Sequence, residues 1–313
     1  MILTVTPNPS IDRTLVVDEL RRGAVLRSRS HSSEPNGKGV NVSIALRLHG
    51  HATTAVLPTG GHDGARMREM LEARGLDHVP VQIRGEIRSN VSVVEPDGTV
   101  TKLNEPGPTL SAGELDALLR AALNRASEAR WLVGCGTLPP GAPDDFYARL
   151  VAGGRGAGAK VGVDTSGSAL AAALPAGPDL IKPNADELAE VTGARITTVG
   201  EAVASAREAQ ALGAGTVLAS LGADGALLVE EDVLHGEAVV DRVESAVGAG
   251  DATLAGFLAG GARGARGLES ALAFAAAALR QTSTLMPGVE EVARGRVVIH
   301  QEVDAARRLR EAH

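Results

Sequence analysis

Ser111-Ala-Gly-Glu-Leu-Asp-Ala-Leu-Leu-Arg-Ala-Ala-Leu-Asn-Arg-Ala-Ser-Glu-Ala-Arg-Trp-Leu-Val-Gly-Cys135 holds one complete unit of the fold. Ser111 and Glu114 stand three apart as a capping box, and Leu115, Leu118, Leu119 and Ala122 follow at helical spacing. The spacing predicts a helix over 112–129. Trp131–Cys135 is then free of polar side chains, the pattern of a strand covered on both faces. Comparable runs occur at Ile2–Thr6, Thr53–Leu57, Lys160–Asp164, Asp179–Lys182 and Thr216–Ser220, with helical patterns between them. This alternation predicts an α/β protein with a mostly parallel, doubly wound central sheet.

Two stretches break the rhythm. Residues 87–104 alternate at period two around Pro96-Asp97-Gly98, a hairpin with its turn. Residues 14–32 alternate in the same way, rich in Arg and Val rather than striped like a helix. Paired together, they make a small sheet standing off the main domain, which over the strand ends would act as a lid; two surface hairpins are the plainer alternative.

The 313 residues allow about two domains on length alone. Yet no linker or solenoid repeat divides them, so a single domain over 1–313 is expected, with a lid subdomain from about 12–34 and 86–106. Charge excludes more. With 31 basic and 38 acidic side chains the formal net charge is −7, which gives no electrostatic footprint for nucleic acid. The five aromatic residues, Trp131, Phe146, Tyr147, Phe257 and Phe274, are too few for a base-stacking platform. The apolar run Ala271–Leu279 is far below the ~20 residues that span a bilayer. Met1–Thr14 has no basic region, and Pro7 and Asn8 break its apolar stretch. A lone cysteine, Cys135, fits a reducing compartment. No membrane association and a cytoplasmic location are expected.

Five motifs can carry chemistry. Val247-Gly248-Ala249-Gly250-Asp251 opens an apolar helix, so its backbone amides can approach an anion while Asp251 takes a proton from a neighbouring hydroxyl. Asp251 as a mere N-cap is the alternative. Pro35-Asn36-Gly37-Lys38-Gly39-Val40-Asn41 is a second glycine-rich turn into a helix that stops at Gly50, with Lys38 set to meet a phosphate and Asn41 one turn on. It is not a Walker A loop, since Ser32 stands where the first glycine belongs and Gly39 where Ser or Thr belongs. Asp12 follows the first strand, where doubly wound sheets bind ligands and a carboxylate can hold two sugar hydroxyls. In Lys182-Pro-Asn184-Ala-Asp-Glu187, Asn184 and Glu187 are spaced either to hold Mg²⁺ through water or to form a capping box. Ser220-Leu-Gly222-Ala-Asp-Gly225 is a glycine turn between strands that can admit a flat base. Arg27, Arg88 and Lys102 place positive charge on the lid, suited to a second phosphate or to guarding an edge strand.

Other chemistries lack their marks. The histidines show no metalloprotease spacing, and no nucleophile elbow occurs. The glycine run 153–158 precedes a strand instead of following one, so it is not a dinucleotide fingerprint.

In this order the motifs resemble the ribokinase/phosphofructokinase-B family of carbohydrate kinases, over nearly the whole chain. They are closest to its 1-phosphofructokinase branch. Gly136-Thr-Leu-Pro-Pro-Gly141 and Asp164-Thr-Ser-Gly167 extend the likeness. The resemblance implies a ribokinase-like three-layer α/β/α domain with a mostly parallel central sheet and a small β-sheet lid, often a dimer contact. It further implies ATP and Mg²⁺, with Asp251 as base and Gly248, Ala249 and Gly250 as the anion hole. Asp12, Gly37 and Asn41, with Asn90 and Thr137, would hold the sugar. Lys38 and Arg88 would meet its phosphate, and Arg27 would reach a site in its own or a neighbouring subunit. Lys182, Asn184, Ser220, Gly222 and Gly225 would line the nucleotide site, and Asn184 and Glu187 would organise the metal. The expected reaction is ATP-dependent phosphorylation of a ketohexose phosphate, fructose 1-phosphate first, with tagatose 6-phosphate or fructose 6-phosphate as alternatives. A catalytically idle sugar-phosphate sensor is the non-enzymatic alternative. Two positions depart from the family pattern: Asn36 where a small residue is usual, and Ala246 where Thr is frequent.

Overall fold

In the computed structural model, which describes residues 1–281, 285–293 and 296–310, the capping box at Ser111 forms. Its hydroxyl accepts from the Glu114 amide at 3.4 Å, and the Glu114 carboxylate accepts from the Ser111 amide at 2.7 Å. The helix runs Ala112–Leu123 and gives way to a 3₁₀ turn at Ala126–Glu128 instead of continuing to 129. Asn124 is a weak helix former at the C-cap, and the chain must turn there to enter the next strand.

That strand, Trp131–Cys135, lies inside a ten-stranded sheet. From one edge the order is Asp77–Gln82, Thr53–Thr59, Ile2–Val5, Trp131–Cys135, Lys160–Asp164, Leu180–Ile181, Thr216–Ser220, Ala226–Val229, Val233–Val239 and Arg296–Ile299. All neighbours up to Thr216–Ser220 pair in parallel, and the last three strands add on antiparallel. The strand expected over 179–182 shrinks to two residues, since Pro183 has no N–H to give the ladder.

Alternating side chains feed two separate cores. Leu3, Val5 and Leu132 face one, beside Met67, Leu118 and Leu150; Ile2, Trp131 and Val133 face the other, beside Leu46, Phe257 and Leu268. Helices therefore cover both faces, giving the three-layer ribokinase-like arrangement expected. Among the described residues, no helix is long and apolar enough to cross a membrane.

The irregular stretches do form a second sheet, in the order Ser30–Asn36, Ser10–Val16, Arg88–Val94, Val100–Asn104. Ser10–Val16 and Arg88–Val94 run parallel in its middle, and the hairpin turn closes with Glu95 N donating to Thr99 O at 2.9 Å. These strands reach from Ser10 to Asn36, wider than the 12–34 expected. Asp12 and Asn36 thus lie on adjacent lid strands, two rungs apart, paired with Glu34 and Ser10.

Candidate functional site

Strand order reverses at Ile2–Val5, which has Thr53–Thr59, the next strand of this sheet in sequence, on one side and Trp131–Cys135 on the other. Parallel strands end at one rim, and a crevice opens where the order reverses. Thr6, Gly136, Asp164, Lys182 and Ser220 stand at that rim, at or just beyond the ends of their strands.

Asp251 enters the rim from the helix Ala249–Ala259. Gly248 is the N-cap, at φ 80°, and Asp251 is the third residue of the helix, so it does not cap. No side chain caps this end, which leaves first-turn amides without intrahelical partners and favours an anion there. A Cβ on Gly250 would sit 3.3 Å from Lys182 Nζ, so the ammonium lies against the same turn. Burial and the nearby Asp164 charge push the Asp251 carboxyl up to about 6, against the opposing pull of Asn41, Lys38 and Lys182. A buried carboxyl at that value can take a proton from a hydroxyl near neutral pH.

Asp12 reaches the rim from the lid. It accepts from Ser10 Oγ at 2.8 Å, from Asn90 Nδ2 at 2.9 Å and from Asn36 Nδ2. Asn41 is buried and donates to both Asn36 Oδ1 at 2.7 Å and Asp251 Oδ2 at 2.8 Å. It therefore bonds the Asp251 carboxylate rather than only facing an open mouth. Gly37, at φ 134°, begins this helix, and a Cβ there would meet Thr6 Cγ2 at 2.7 Å. The glycine lets the helix tip close onto the first strand's end.

Lys38, expected to meet a phosphate, has a partner within the protein. Its ammonium bonds Asp164 Oδ1 at 3.0 Å, and that charge raises its affinity for its proton further. Lys182, buried, approaches the same oxygen at 3.5 Å. Arg88 donates to the carbonyls of Asn8 at 3.2 and 3.3 Å and of Glu105 at 3.1 Å. Burial lowers its pKa from the ordinary value, opposed by Asp12 and Glu105. Burial likewise lowers that of Lys102 on the outer lid strand, opposed by Asp12. Thr137 is exposed just beyond Gly136, and Arg27 is exposed on the 17–29 connection of the lid.

On the other side of the rim, Asn184 and Glu187 form a reciprocal capping box at 2.8 and 2.9 Å, the bonding that the plainer reading required. It engages only one oxygen of Glu187. Asn184 also bridges to Ser220, bringing the two motifs side by side. Gly222 has open space about its Cα, whereas a Cβ on Gly225 would meet the Gly236 carbonyl at 2.0 Å. Gly225 is required by that close strand approach. Among the described residues no cluster of three His, Cys, Asp or Glu is arranged to hold a metal.

Two participants escape a reading of the sequence by motif. Asp164 has no separate role there, although it ends an apolar strand at the same rim as the other candidates; that position is the signal for it. Asn36 stands out only as a departure from a pattern, and nothing in its neighbours along the chain signals the contacts it makes. Buried side-chain atoms without a partner among the described residues are Thr6 Oγ1, Asn8 Oδ1, Asn90 Oδ1 and Asp164 Oδ2. All four belong to the rim or its lid.

Comparison with known proteins gives this arrangement a context. The chain is 39% identical over 297 residues to a 1-phosphofructokinase of Haloferax volcanii, covering 93% of this chain and 95% of that one. It is 36% identical over 261 residues to a 1-phosphofructokinase of Bacillus subtilis, covering 83% and 85%. Its structure matches phosphofructokinase-2 from Escherichia coli with a TM-score of 0.88 at 29% identity, over 94% of this chain and 97% of that one. The pfkB family carbohydrate kinase model matches residues 7–285, which takes in the lid, the sheet rim and the Asp251 helix together. With that match over most of its length, the chain belongs to the pfkB family of carbohydrate kinases.

Proposed function

We propose that this sugar-phosphate kinase transfers the γ-phosphoryl group of ATP to the 6-hydroxyl of fructose 1-phosphate, giving fructose 1,6-bisphosphate and ADP. The observation that carries the reading is Asp251, buried at an uncapped helix tip, pushed up to about 6 and flanked by Lys182 and Asn41. The curated relatives that share 35–39% identity carry the name 1-phosphofructokinase, which favours this acceptor over others.

Phosphoryl transfer depends on alignment and charge stabilisation more than on covalent help. Asp251 takes the hydroxyl proton as the sugar oxygen bonds to the γ-phosphorus and the bond to the bridging oxygen of ADP breaks. The amides of the Gly248–Gly250 turn, of which Ala249 N donates to the Ala246 carbonyl at 3.4 Å, and the Lys182 ammonium meet the charge on the transferring group. Loss of one such donor typically costs about 3 kcal/mol of barrier. Asp12, Gly37, Asn41, Asn90 and Thr137 hold the sugar, and Arg88, Lys38 and Arg27, the last from its own or a neighbouring subunit, meet its phosphate. For Lys38 this requires its ammonium to be shared with Asp164. Ser220, Gly222 and Asn184 line the nucleotide site, with Gly225 shaping its turn. Mg²⁺ fits this site through the nucleotide phosphates and water, since one Glu187 oxygen lies outside the capping box. When bound, the ion neutralises phosphate charge. Closure of the lid excludes water, which competes as acceptor. Two lids pair in a homodimer, a reading supported by the exposed Val25, Val100 and Leu103.

An ADP-release assay over fructose 1-phosphate, fructose 6-phosphate, tagatose 6-phosphate, fructose and ribose tests the assignment. The highest kcat/KM is expected with the first. Another winner replaces the substrate and leaves the kinase, whereas no ADP with any sugar returns the sensor. Asp251→Ala should lower kcat by at least ~100-fold, the low end for a general base. Turnover within a few-fold of the parent removes Asp251 from that role.

A further inference from the structure

An unbroken string of hydrogen bonds joins the lid to the carboxyl at the helix tip. Asn36 Nδ2 donates to Asp12 Oδ2. Asn36 Oδ1 accepts from Asn41 Nδ2 at 2.7 Å, and the same nitrogen donates to Asp251 Oδ2 at 2.8 Å. We propose that Asn36 is a positioning residue: it fixes which end of the Asn41 amide faces Asp251 and ties that choice to the seat of the lid. The proposal deepens the reading above and rests on it for Asp251 as the proton acceptor.

The direction of the string follows from donor and acceptor chemistry. An ionised carboxylate only accepts, so Asp12 selects the NH₂ end of Asn36. The Oδ1 end is then left for Asn41, which must answer with its own NH₂. Both hydrogens of that group are used, one on Asn36 and one on Asp251. Turning either amide over would set two acceptors face to face. A second contact holds Asn36 independently: Oδ1 also accepts from the Gly37 backbone amide at 2.5 Å, a donor that cannot be turned around.

The position of Asn36 makes the link mechanical as well as polar. It is the last residue of the lid strand Ser30–Asn36, pairs with Ser10, and directly precedes the Gly37 cap of the helix that carries Asn41. Asp12 is held in turn by Ser10 Oγ at 2.8 Å and Asn90 Nδ2 at 2.9 Å, from two lid strands. A lid displaced from its seat carries Asn36 away together with Asp12, its neighbour on the adjoining strand, and Asn41 loses the partner that keeps its NH₂ on Asp251. A glycine or alanine at position 36 offers no such link.

Asp251 is the measurable end of the string. Asn41 donates to it, and the charged or titratable groups facing it are Asp164, Lys38, Lys182 and the Cys135 thiol. Loss of a donor to a carboxylate raises its pKa. Asn36→Ala and Asn36→Gly should therefore move the Asp251 titration upward, read directly by carbon NMR of the aspartate carboxyls with Asp251→Asn as the assignment control. They should lower kcat ~10-fold, the scale of one lost bond to a charged group, with KM for ATP within about 2-fold. Adding Asn41→Ala to either variant should change the titration no more than Asn41→Ala alone, since the two act through one contact.

Asn36→Gly carries the small side chain usual in the family and keeps the test open should Asn36→Ala fold poorly. An Asp251 titration unmoved in a folded Asn36 variant overturns the proposal, as do additive effects of Asn36 and Asn41. Full turnover by Asp251→Asn would instead remove the base assignment, while the NMR titration would still decide whether Asn36 governs the Asn41 contact.

Discussion

Asp224 and Asp251 are both buried, at 1% and 7% exposure, yet their carboxyls move in opposite directions. Burial alone pushes both up. At Asp224 it is outweighed by the Arg310 amide at 2.7 Å and the guanidinium groups of Arg307 at 2.9 Å and Arg310 at 3.0 Å, which hold it below the ordinary range. Glu237 completes that cluster through Arg307 at 2.6 Å and His300 at 2.8 Å. Asp251 receives one amide donor, while the two nearest ammonium groups are directed at Asp164. A saturated carboxylate is a fastener. One left short of donors is a reagent, and the unpartnered buried atoms gather on its side of the molecule.

The largest effect should come from breaking the fastener. Asp224→Ala removes the anion that takes both guanidinium groups and the Arg310 amide; with Arg307 still held by Glu237 and Arg310 largely in solvent, the loss should be about 3 kcal/mol. Chemical denaturation measures it, and a loss below ~1 kcal/mol would put the cluster among dispensable surface bridges.

The opposite substitution should stabilise. Folded Asp251 keeps its proton up to about 6, whereas an unfolded aspartate releases it near 3.9. Between those values the native state binds more protons, so this carboxyl lowers stability as pH rises through the window, and its full cost stands above it. Asp251→Asn should gain on the order of 2–3 kcal/mol at pH 7.5, shrinking toward nothing near pH 4. Denaturation curves at both pH values would reveal a loss instead, which would mean that the charge is compensated.

Substrate contacts come next. Arg88→Ala and Lys38→Ala should each raise KM for the sugar phosphate about 10-fold, or ~1.4 kcal/mol, and KM for ATP much less. Equal effects on both substrates would move these residues out of the sugar site. The smallest change sharpens the contrast itself. The acid limb of kcat/KM should fall near 6, and Asp164→Asn, which removes a like charge, should shift it to lower pH. A limb that stays in place would assign the raised value to burial alone.

Legibility followed the range of the interactions. The strands at Trp131–Cys135, Lys160–Asp164 and Thr216–Ser220 have the limits expected, because an apolar run between turns is a local signal. The three-residue spacing behind the Ser111 box is local too, and so is the period-two hairpin. The candidate site was legible as motifs at strand ends and helix tips, but not as contacts. Asn36 and Asn41 look like neighbours in one turn, and only folding brings Asp12 to one and Asp251 to the other. The choice between an N-cap and a free carboxyl at position 251 likewise needed the backbone, where Gly248 takes the cap. Lys38 could not be placed by its flanking glycines, since Asp164, which holds it, lies on a distant strand.

The sequence by itself determined the alternating α/β order, the two lid insertions and the side chains available at the sheet rim, because periodicity and turn chemistry act over a few residues. Tertiary structure alone decided which carboxylate is saturated and which is left reactive. Hydrogen bonds and ion pairs between distant segments form only once the layers close, and those partners decide whether the effect of burial is overcome, as at Asp224, or stands, as at Asp251.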